Sequence, residues 1–577
     1  MWRFINTFKE IFGKRLELLY PDRNVDRILE RIALVFGRYD YLVRKEPPEG
    51  PLWDEKSCLL ITYGDMVTKE DDESPLVTLR LFLREYLAGV ITGVHVLPFF
   101  PYSSDDGFSV IDYREVNPAL GGWADIRMLG ENFDLMVDLV LNHVSSHSRW
   151  FQDYIGGIAP ARDYFIEVDP DTDLSMVVRP RTSPLLTPVQ TVAGQRWVWT
   201  TFSADQVDLN YANPDVLLEM IDILLGYVAN GAVIIRLDAI AYLWKEIGTS
   251  CINLPQTHEV VKLLRDILEY MAPGTMVLTE TNLPHEQNIS YFGDGDEAHL
   301  VYQFTLPPLL LHTLHSGSSS SLQQWVRDLA PPPPGCSFLN FTASHDGIGV
   351  RPLEGLLSDA EILGLADTVR ACGGLVSSRT GPDGSEQPYE LNITYFDAMK
   401  DPDRPDDLSW QALRFLCSQI IMLGLRGIPA IYFHSLTATR NNYDGVAATG
   451  MNRTINRGRW RDDELRNLLA SPESSTARVF RSYVDLIRKR AMEPAFHPDA
   501  VQELVESRDS LFVLVRRPEE GRTITCVHNV SPVRQEVRLK ELGPALARRK
   551  RVWDCIGEEK VGPVVYLEPY QCCWLAS

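Results

Sequence analysis

Between residues 58 and 433 the chain alternates short, continuous apolar runs with longer amphipathic stretches. The runs fall at 58–63, 93–98, 135–140, 232–237, 276–279, 300–304, 338–343 and 427–433. Unbroken apolar runs of this length are what parallel strands buried on both faces require. Helical periodicity occupies 79–88, 216–228, 260–270 and 412–423 between them. Strands joined by helical crossovers in this number predict an α/β fold, a (β/α)8 TIM barrel rather than a doubly wound sheet.

Residues 1 to about 57 read as a helical extension. Val25, Ile28, Leu29, Ile32, Val35 and Phe36 recur at the spacing of one buried helix face. Asn24 is placed to cap its start and Gly37 to end it. Two intervals, 145–212 and 344–411, are too long for plain connections and are expected to form subdomains over the carboxyl ends of the strands. Beyond residue 500 the chain turns strand-like at 511–516, 523–528, 536–539, 551–553 and 564–567. The expected organisation is a helical extension over 1–57, a catalytic barrel over 58–500 carrying both insertions, and an antiparallel β domain over 501–577.

Across 577 residues, 56 Lys+Arg stand against 78 Asp+Glu, a formal net charge of −22. Such a field repels phosphate backbones, so a nucleic-acid partner is not expected. Small anionic substrates need only a few local arginines and stay open. No apolar run reaches the roughly eighteen residues of a membrane span, and Met1-Trp2-Arg3-Phe4 lacks the apolar core of a signal peptide. Nine scattered cysteines without zinc spacing suit a reducing compartment, so a cytoplasmic protein is expected. The sequence specifies no oligomeric state; a homodimer is compatible with it.

Polar groups collect just after predicted strands: Asn142-His143, Arg236-Leu237-Asp238, Thr279-Glu280-Thr281 and His345-Asp346. One carboxylate at a strand end usually caps a helix, but several at the ends of different barrel strands converge on one pocket. Three carboxylates, with an arginine two residues before the first, suit glycosidic-bond chemistry. Retaining transfer needs an ionised carboxylate as nucleophile and a protonated carboxyl as acid/base. Arg236 would help keep Asp238 ionised, whereas a less solvated Glu280 would hold its proton.

The strings Asp138-Leu139-Val140-Leu141-Asn142-His143, Arg236-Leu237-Asp238-Ala239, Glu280 and Ser344-His345-Asp346 resemble, in order and spacing, the four short motifs of the α-amylase superfamily, glycoside hydrolase family 13. That resemblance implies Asp238 as nucleophile, Glu280 as general acid/base and Asp346 as transition-state stabiliser. It also implies that His143, Arg236 and His345 grip a glucosyl unit. Ile61-Thr62-Tyr63-Gly64-Asp65, Glu246-Ile247-Gly248-Thr249-Ser250-Cys251 and Ile455-Asn456-Arg457 resemble the sucrose phosphorylase subfamily. By that resemblance Asp106 and Arg457 would bind the glucosyl 3- and 4-hydroxyls. Phe108 and Phe202 would be apolar walls, Gln206 a polar contact near the acceptor side, and Tyr242 a further substrate contact. Taken alone, Phe108 and Phe202 read equally well as core.

Phosphate as a nucleophile must be held by cations, because a carboxylate cluster repels it. Arg179-Pro180-Arg181, in the first insertion, resembles the subfamily's phosphate-binding loop; taken alone it is a solvated basic turn. Tyr389 matches a second phosphate-contacting position. The resemblance implies no cofactor and no metal, with inorganic phosphate as a substrate, although Asn142 sits where some amylases bind calcium.

The second insertion departs from the sucrose enzymes. Where they carry Leu-Asp-Leu-Tyr-Gln, this chain has Glu386-Gln387-Pro388-Tyr389-Glu390, so Gln387 replaces the fructose-binding aspartate. With the N-terminal extension and the run from Gly347 to Gly355, this resembles the glucosylglycerate phosphorylase branch. A glycerate acceptor carries a carboxylate and so calls for a cation. Arg351 and Arg379 are available, with surface solvation as the plain alternative; Glu386 and Glu390 oppose them. Three readings follow. One is a retaining α-glucoside phosphorylase with glycerate, fructose, fructose 6-phosphate or glycerol as leaving group. The second is a hydrolase or transglucosidase, and the third a non-catalytic binding protein, which the three carboxylates disfavour.

Overall fold

The computed structural model describes residues 6–70, 73–181, 183–380 and 386–577. Met1 to Phe4, read above for a signal peptide, lie outside the described residues. Eight parallel strands close into a barrel: β1 Leu59–Thr62, β2 Gly93–Val96, β3 Asp134–Leu139, β4 Ala232–Leu237, β5 Met276–Thr279, β6 Leu300–Tyr302, β7 Ser337–Phe341 and β8 Ile428–Tyr432. Neighbours follow chain order, and β8 closes on β1. Strands β1, β2, β5, β7 and β8 are buried throughout, which is why the sequence shows no polar alternation there. Strand β2 stops at Val96 rather than at 98, because Pro98 has no N–H for the ladder.

Between strands run the helices Pro75–Leu87, Pro214–Ala229, Pro255–Met271 and Leu408–Gly424. The first three begin on proline, where a helix has no use for the missing N–H. The extension's main helix is Val25–Tyr39, and it buries Ile28, Leu29, Ile32, Val35 and Phe36. The Asn24 side chain accepts from the Arg27 N–H at 3.1 Å. Gly37 does not end this helix, which runs on to Tyr39. Nor is the extension helical throughout. Residues 40–57 are irregular, because Pro47, Pro48, Gly50 and Pro51 deny a helix its donors and its backbone restriction. Phe8, Phe12 and Phe36 pack on Tyr270, and Arg15 pairs with Asp266 at 2.5 Å. The extension is thereby fastened to the helix between β4 and β5.

The interval after β3 holds the helix Arg149–Ile155, a hairpin of Leu186–Thr191 with Gly194–Trp199, and Gln206–Asp208 paired to His143–Ser145. The interval after β7 holds a three-stranded sheet of Ile348–Gly349, Glu386–Asn392 and Leu375–Thr380, with the helix Asp359–Ala371. At the C-terminal end, a six-stranded antiparallel sheet includes three strands beyond those predicted: Val501–Leu504, Glu559–Val561 and Cys572–Ala576. The first two are its edges, whose polar residues face solvent and hide the strand signal.

Arg490, on the helix Ser475–Ala491, is buried with carbonyls alone. It donates to Glu55 at 2.5 Å, Phe496 at 3.0 Å, Leu423 at 3.1 Å and Gly427 at 3.3 Å. One guanidinium thus ties the segment before β1, the end of the helix before β8, and the entry to β8. Each carbonyl orphaned by its loss costs about 1–3 kcal/mol. Arg490→Met is therefore expected to melt several degrees lower in a thermal scan; an unchanged melting temperature would reject this role. Among the described residues, no helix is long and apolar enough to cross a membrane.

Candidate active site

A cleft collects side chains from the loops that follow the strands. Asp238 follows β4 and Glu280 follows β5, and hydrogen bonding continues one step past the strands. The Asp238 N–H donates to the Leu139 carbonyl at 3.2 Å and the Glu280 N–H to the Leu237 carbonyl at 3.1 Å. That ladder sets the two carboxyls on adjacent strand ends. Ala239 is left-handed at φ 50° and donates its N–H to Glu280 Oε2 at 3.1 Å. Asp346 comes from the loop after β7. There the Asn456 amide donates to the Ser344 carbonyl at 2.6 Å and Arg457 Nε to the His345 carbonyl at 2.9 Å.

Charge separates these carboxyls chemically. Arg236 is buried and donates to Asp238 Oδ1 at 2.7 Å, and also to Asp138. His95 Nε2 meets the other Asp138 oxygen at 2.6 Å. Burial, helped by the charge of Asp138, leaves the Asp238 carboxyl above the ordinary aspartate value although Arg236 pulls it down. For Glu280 burial also leads, the charges of Asp238 and Asp346 add to it, and together they outweigh Arg236; its carboxyl is pushed up to about 7. Burial would raise Asp346 as well, but Arg453 and Arg457 hold it well below the usual carboxylate range. Arg453 Nη1 lies 2.5 Å from Asp346 Oδ1. Burial drops His345 to about 3, so its imidazole is neutral.

The walls follow from local backbone. Asp105 and Asp106 have φ of 52° and 47°, and Gly107 follows at 114°. A Cβ at Gly107 would lie 2.5 Å from the Pro98 carbonyl oxygen, so that position admits only glycine. Arg457 Nη1 donates to Asp105 at 3.1 Å and Asp106 at 3.0 Å. Asp105 lines the cleft, whereas Asp106 and Arg457 stand behind that wall. Phe108 stacks on His345 at 4.5 Å, and its carbonyl accepts from His143 Nε2 at 2.9 Å. Asn142 Nδ2 donates to His143 Nδ1 at 3.2 Å, which sets the tautomer. Phe202 packs between His143 and Tyr242 at 5.3 and 5.5 Å, and Gln206 lines the same wall.

The two arginines of the Arg-Pro-Arg turn part company. Arg181 lines the cleft with its guanidinium 5.9 Å from the Tyr389 ring centre. Arg179 is exposed and outside the cleft, donating to the Ser183 carbonyl. Gln387 is also outside the lining and accepts from Arg379 at 3.4 Å, while Arg379 pairs with Glu354 at 2.8 Å. Arg351 lies 3.8 Å from Glu354, and neither it nor Arg379 lines the cleft. Glu386 is exposed, but Glu390 is buried and takes both prongs of Arg453 at 2.6 and 3.1 Å. Sequence reading passed over Arg453, four residues before Arg457; its signal was that single helical-turn spacing. Where some amylases bind calcium, the Lys245 ammonium lies 2.7 Å from Asn142 Oδ1 and 2.6 Å from Asp208. Among the described residues, no cluster of three or more His, Cys, Asp or Glu side chains has the arrangement of a metal site.

Residues 84–329 match the α-amylase catalytic domain. The glucosylglycerate phosphorylase of Spirochaeta thermophila is 52% identical over 486 residues, 84% of this chain and 82% of that protein. This chain belongs to the α-amylase family. Another family member, the glucosylglycerate phosphorylase of Escherichia coli, is 44% identical over 98% of both chains. The crystal structure of the sucrose 6F-phosphate phosphorylase from Thermoanaerobacter thermosaccharolyticum superposes with a TM-score of 0.71 at 27% identity, covering 82% of this chain and 94% of that one.

A carboxyl near 7 loses its proton in the working range, and an acid that has lost it cannot protonate a leaving group. Formation of a glycosyl-enzyme from an unactivated glucoside should therefore fall as pH rises through about 7. Glu280→Gln should remove that limb and slow the step by about 10²–10⁴-fold. A wild-type pH–rate profile that stays flat well above neutrality would contradict the shift.

Proposed function

We propose that this chain is a retaining glucoside phosphorylase that converts 2-O-α-D-glucosylglycerate and phosphate reversibly into α-D-glucose 1-phosphate and D-glycerate. Asp238 attacks the anomeric carbon while Glu280 gives its proton to the departing glycerate oxygen, leaving a glucosyl ester on Asp238. A hydrogen phosphate oxygen then attacks the same carbon from the face that glycerate left. The ester bond breaks, Asp238 regains its negative charge, and Glu280 takes the phosphate proton. Two inversions retain the α configuration. Asp346 stays ionised and faces the positive charge that develops on the sugar ring.

The observation that carries phosphate over water is Arg181 on the cleft wall beside Tyr389. It is a cation in a cleft lined by carboxyls that would otherwise repel a dianion. Glycerate as the leaving group is supported by the relatives named for that substrate and by the cations Arg181 and Arg453 on the cleft wall. The nine cysteines are free and buried, which supports work in a reducing, cytoplasmic setting.

A charge-assisted contact contributes roughly 1.5–3 kcal/mol, about one to two decades of affinity. With α-D-glucose 1-phosphate as donor and released phosphate as readout, D-glycerate should outperform glycerol by about that factor and should also outperform fructose. Glycerol or fructose winning a direct competition would sink the acceptor assignment. Arg181→Ala should raise the phosphate KM about tenfold or more and divert glucosyl-enzyme to hydrolysis. Unchanged phosphate kinetics would return Arg181 to a structural role.

A further inference from the structure

Asp205 lies in the first insertion between Phe202 and Gln206, both of which line the cleft, but its own side chain does not. Instead its carboxylate gathers serine hydroxyls from two other loops. Oδ2 accepts from Ser103 at 2.5 Å, from Ser109 at 2.8 Å and from Ser104. Oδ1 accepts from Ser146 at 2.6 Å, and the Ser145 oxygen lies 3.4 Å away without donating to it. Ser103 and Ser145 are themselves 2.5 Å apart. Since the Ser103 proton goes to Asp205, Ser145 donates to Ser103 and extends the network by one link. The Asp205 carbonyl also accepts from the Ser146 N–H at 2.9 Å. Among the described residues, no Arg, Lys or His pairs with this carboxylate. Burial acts to raise its pKa, and the serines outweigh burial and lower it.

These serines are not scattered. Ser103, Ser104 and Ser109 bracket the left-handed segment from Asp105 to Gly107. That segment carries the Arg457 partners and leads directly into Phe108, whose ring stacks on His345. Ser145 ends the strand that carries His143, and Ser146 follows it. Two consecutive non-glycine residues at positive φ persist only where neighbours over-determine the backbone, and Asp205 supplies part of that constraint.

We propose that Asp205 is a positioning residue for the glucosyl subsite, a carboxylate that locks three loops so that Phe108, His143 and Gln206 hold one sugar ring. This rests on the reading that the inner cleft holds the glucosyl unit. Its loss should weaken the grip on the sugar and leave phosphate capture at Arg181 largely intact.

The test compares wild type with Asp205→Ala, Asp205→Asn and Ser146→Ala, using α-D-glucosyl fluoride as donor and phosphate as acceptor, with thermal melting measured alongside. Binding of 1-deoxynojirimycin, a glucose-shaped cation, gives a readout independent of turnover. The expected result for Asp205→Ala is at least a tenfold loss in kcat/KM for the fluoride and in inhibitor affinity, with the phosphate KM shifted less than threefold. Asp205→Asn keeps the shape and one acceptor oxygen and should recover part of the loss. Donor and phosphate parameters falling together in step with melting temperature, or no change in either, would overturn the proposal. If Asp205→Ala does not fold, Ser146→Ala decides: a loss confined to donor and inhibitor supports the proposal, and none contradicts it. A wild type that releases no fluoride would instead fail the glucosyl reading itself.

Discussion

Asp238, Glu280 and Asp346 share one cleft with Asp105, and two unit charges about 5 Å apart repel by about 3 kcal/mol even at an effective dielectric of 20. The site is arranged around relieving that repulsion unequally. Asp238 has Arg236 in direct contact, Asp346 has Arg453, and Glu280 has only the backbone N–H of Ala239. The one carboxyl without an arginine in contact is the one that keeps a proton near neutrality. The difference between Glu280 and Asp346 thus follows from where cations were placed.

Those cations are themselves fixed by structure at increasing distance from the barrel. Arg236 is part of β4 and is braced from behind by Asp138 and His95. Arg453 is braced by Glu390, which comes from the strand that also carries Tyr389. The strand Glu386–Asn392 is therefore joined to Asp346 through one guanidinium. This pairing also answers the charge conflict at the acceptor side. Glu390 does not repel an anionic acceptor as its sequence position suggested, because Arg453 neutralises it in a buried bidentate pair.

The eight barrel strands were legible because burial on both faces writes an unbroken apolar run, and β4 and β5 match their predicted ends. The edge strands Val501–Leu504 and Glu559–Val561 were not, since half their side chains serve solvent. That Asp238, Glu280 and Asp346 meet in one cleft could be read from their strand-end positions. Which member of a close pair faces inward could not. Asp105 rather than Asp106, and Arg181 rather than Arg179, reach the cleft wall, and a turn's φ angles decide such choices without changing the residue types. Arg453 was missed because its partners, Asp346 and Glu390, are distant in sequence and only the fold brings them together.

The central claim is that the glucosyl unit passes through a bond to Asp238. 5-Fluoro-α-D-glucosyl fluoride slows the breakdown of such an intermediate more than its formation, so the adduct accumulates for peptide mass spectrometry. The account predicts one glucosyl-derived mass on the peptide containing Asp238, removed on adding phosphate, and none in Asp238→Asn. Full turnover of a natural donor with no trapped adduct, or an adduct on another residue, would contradict it.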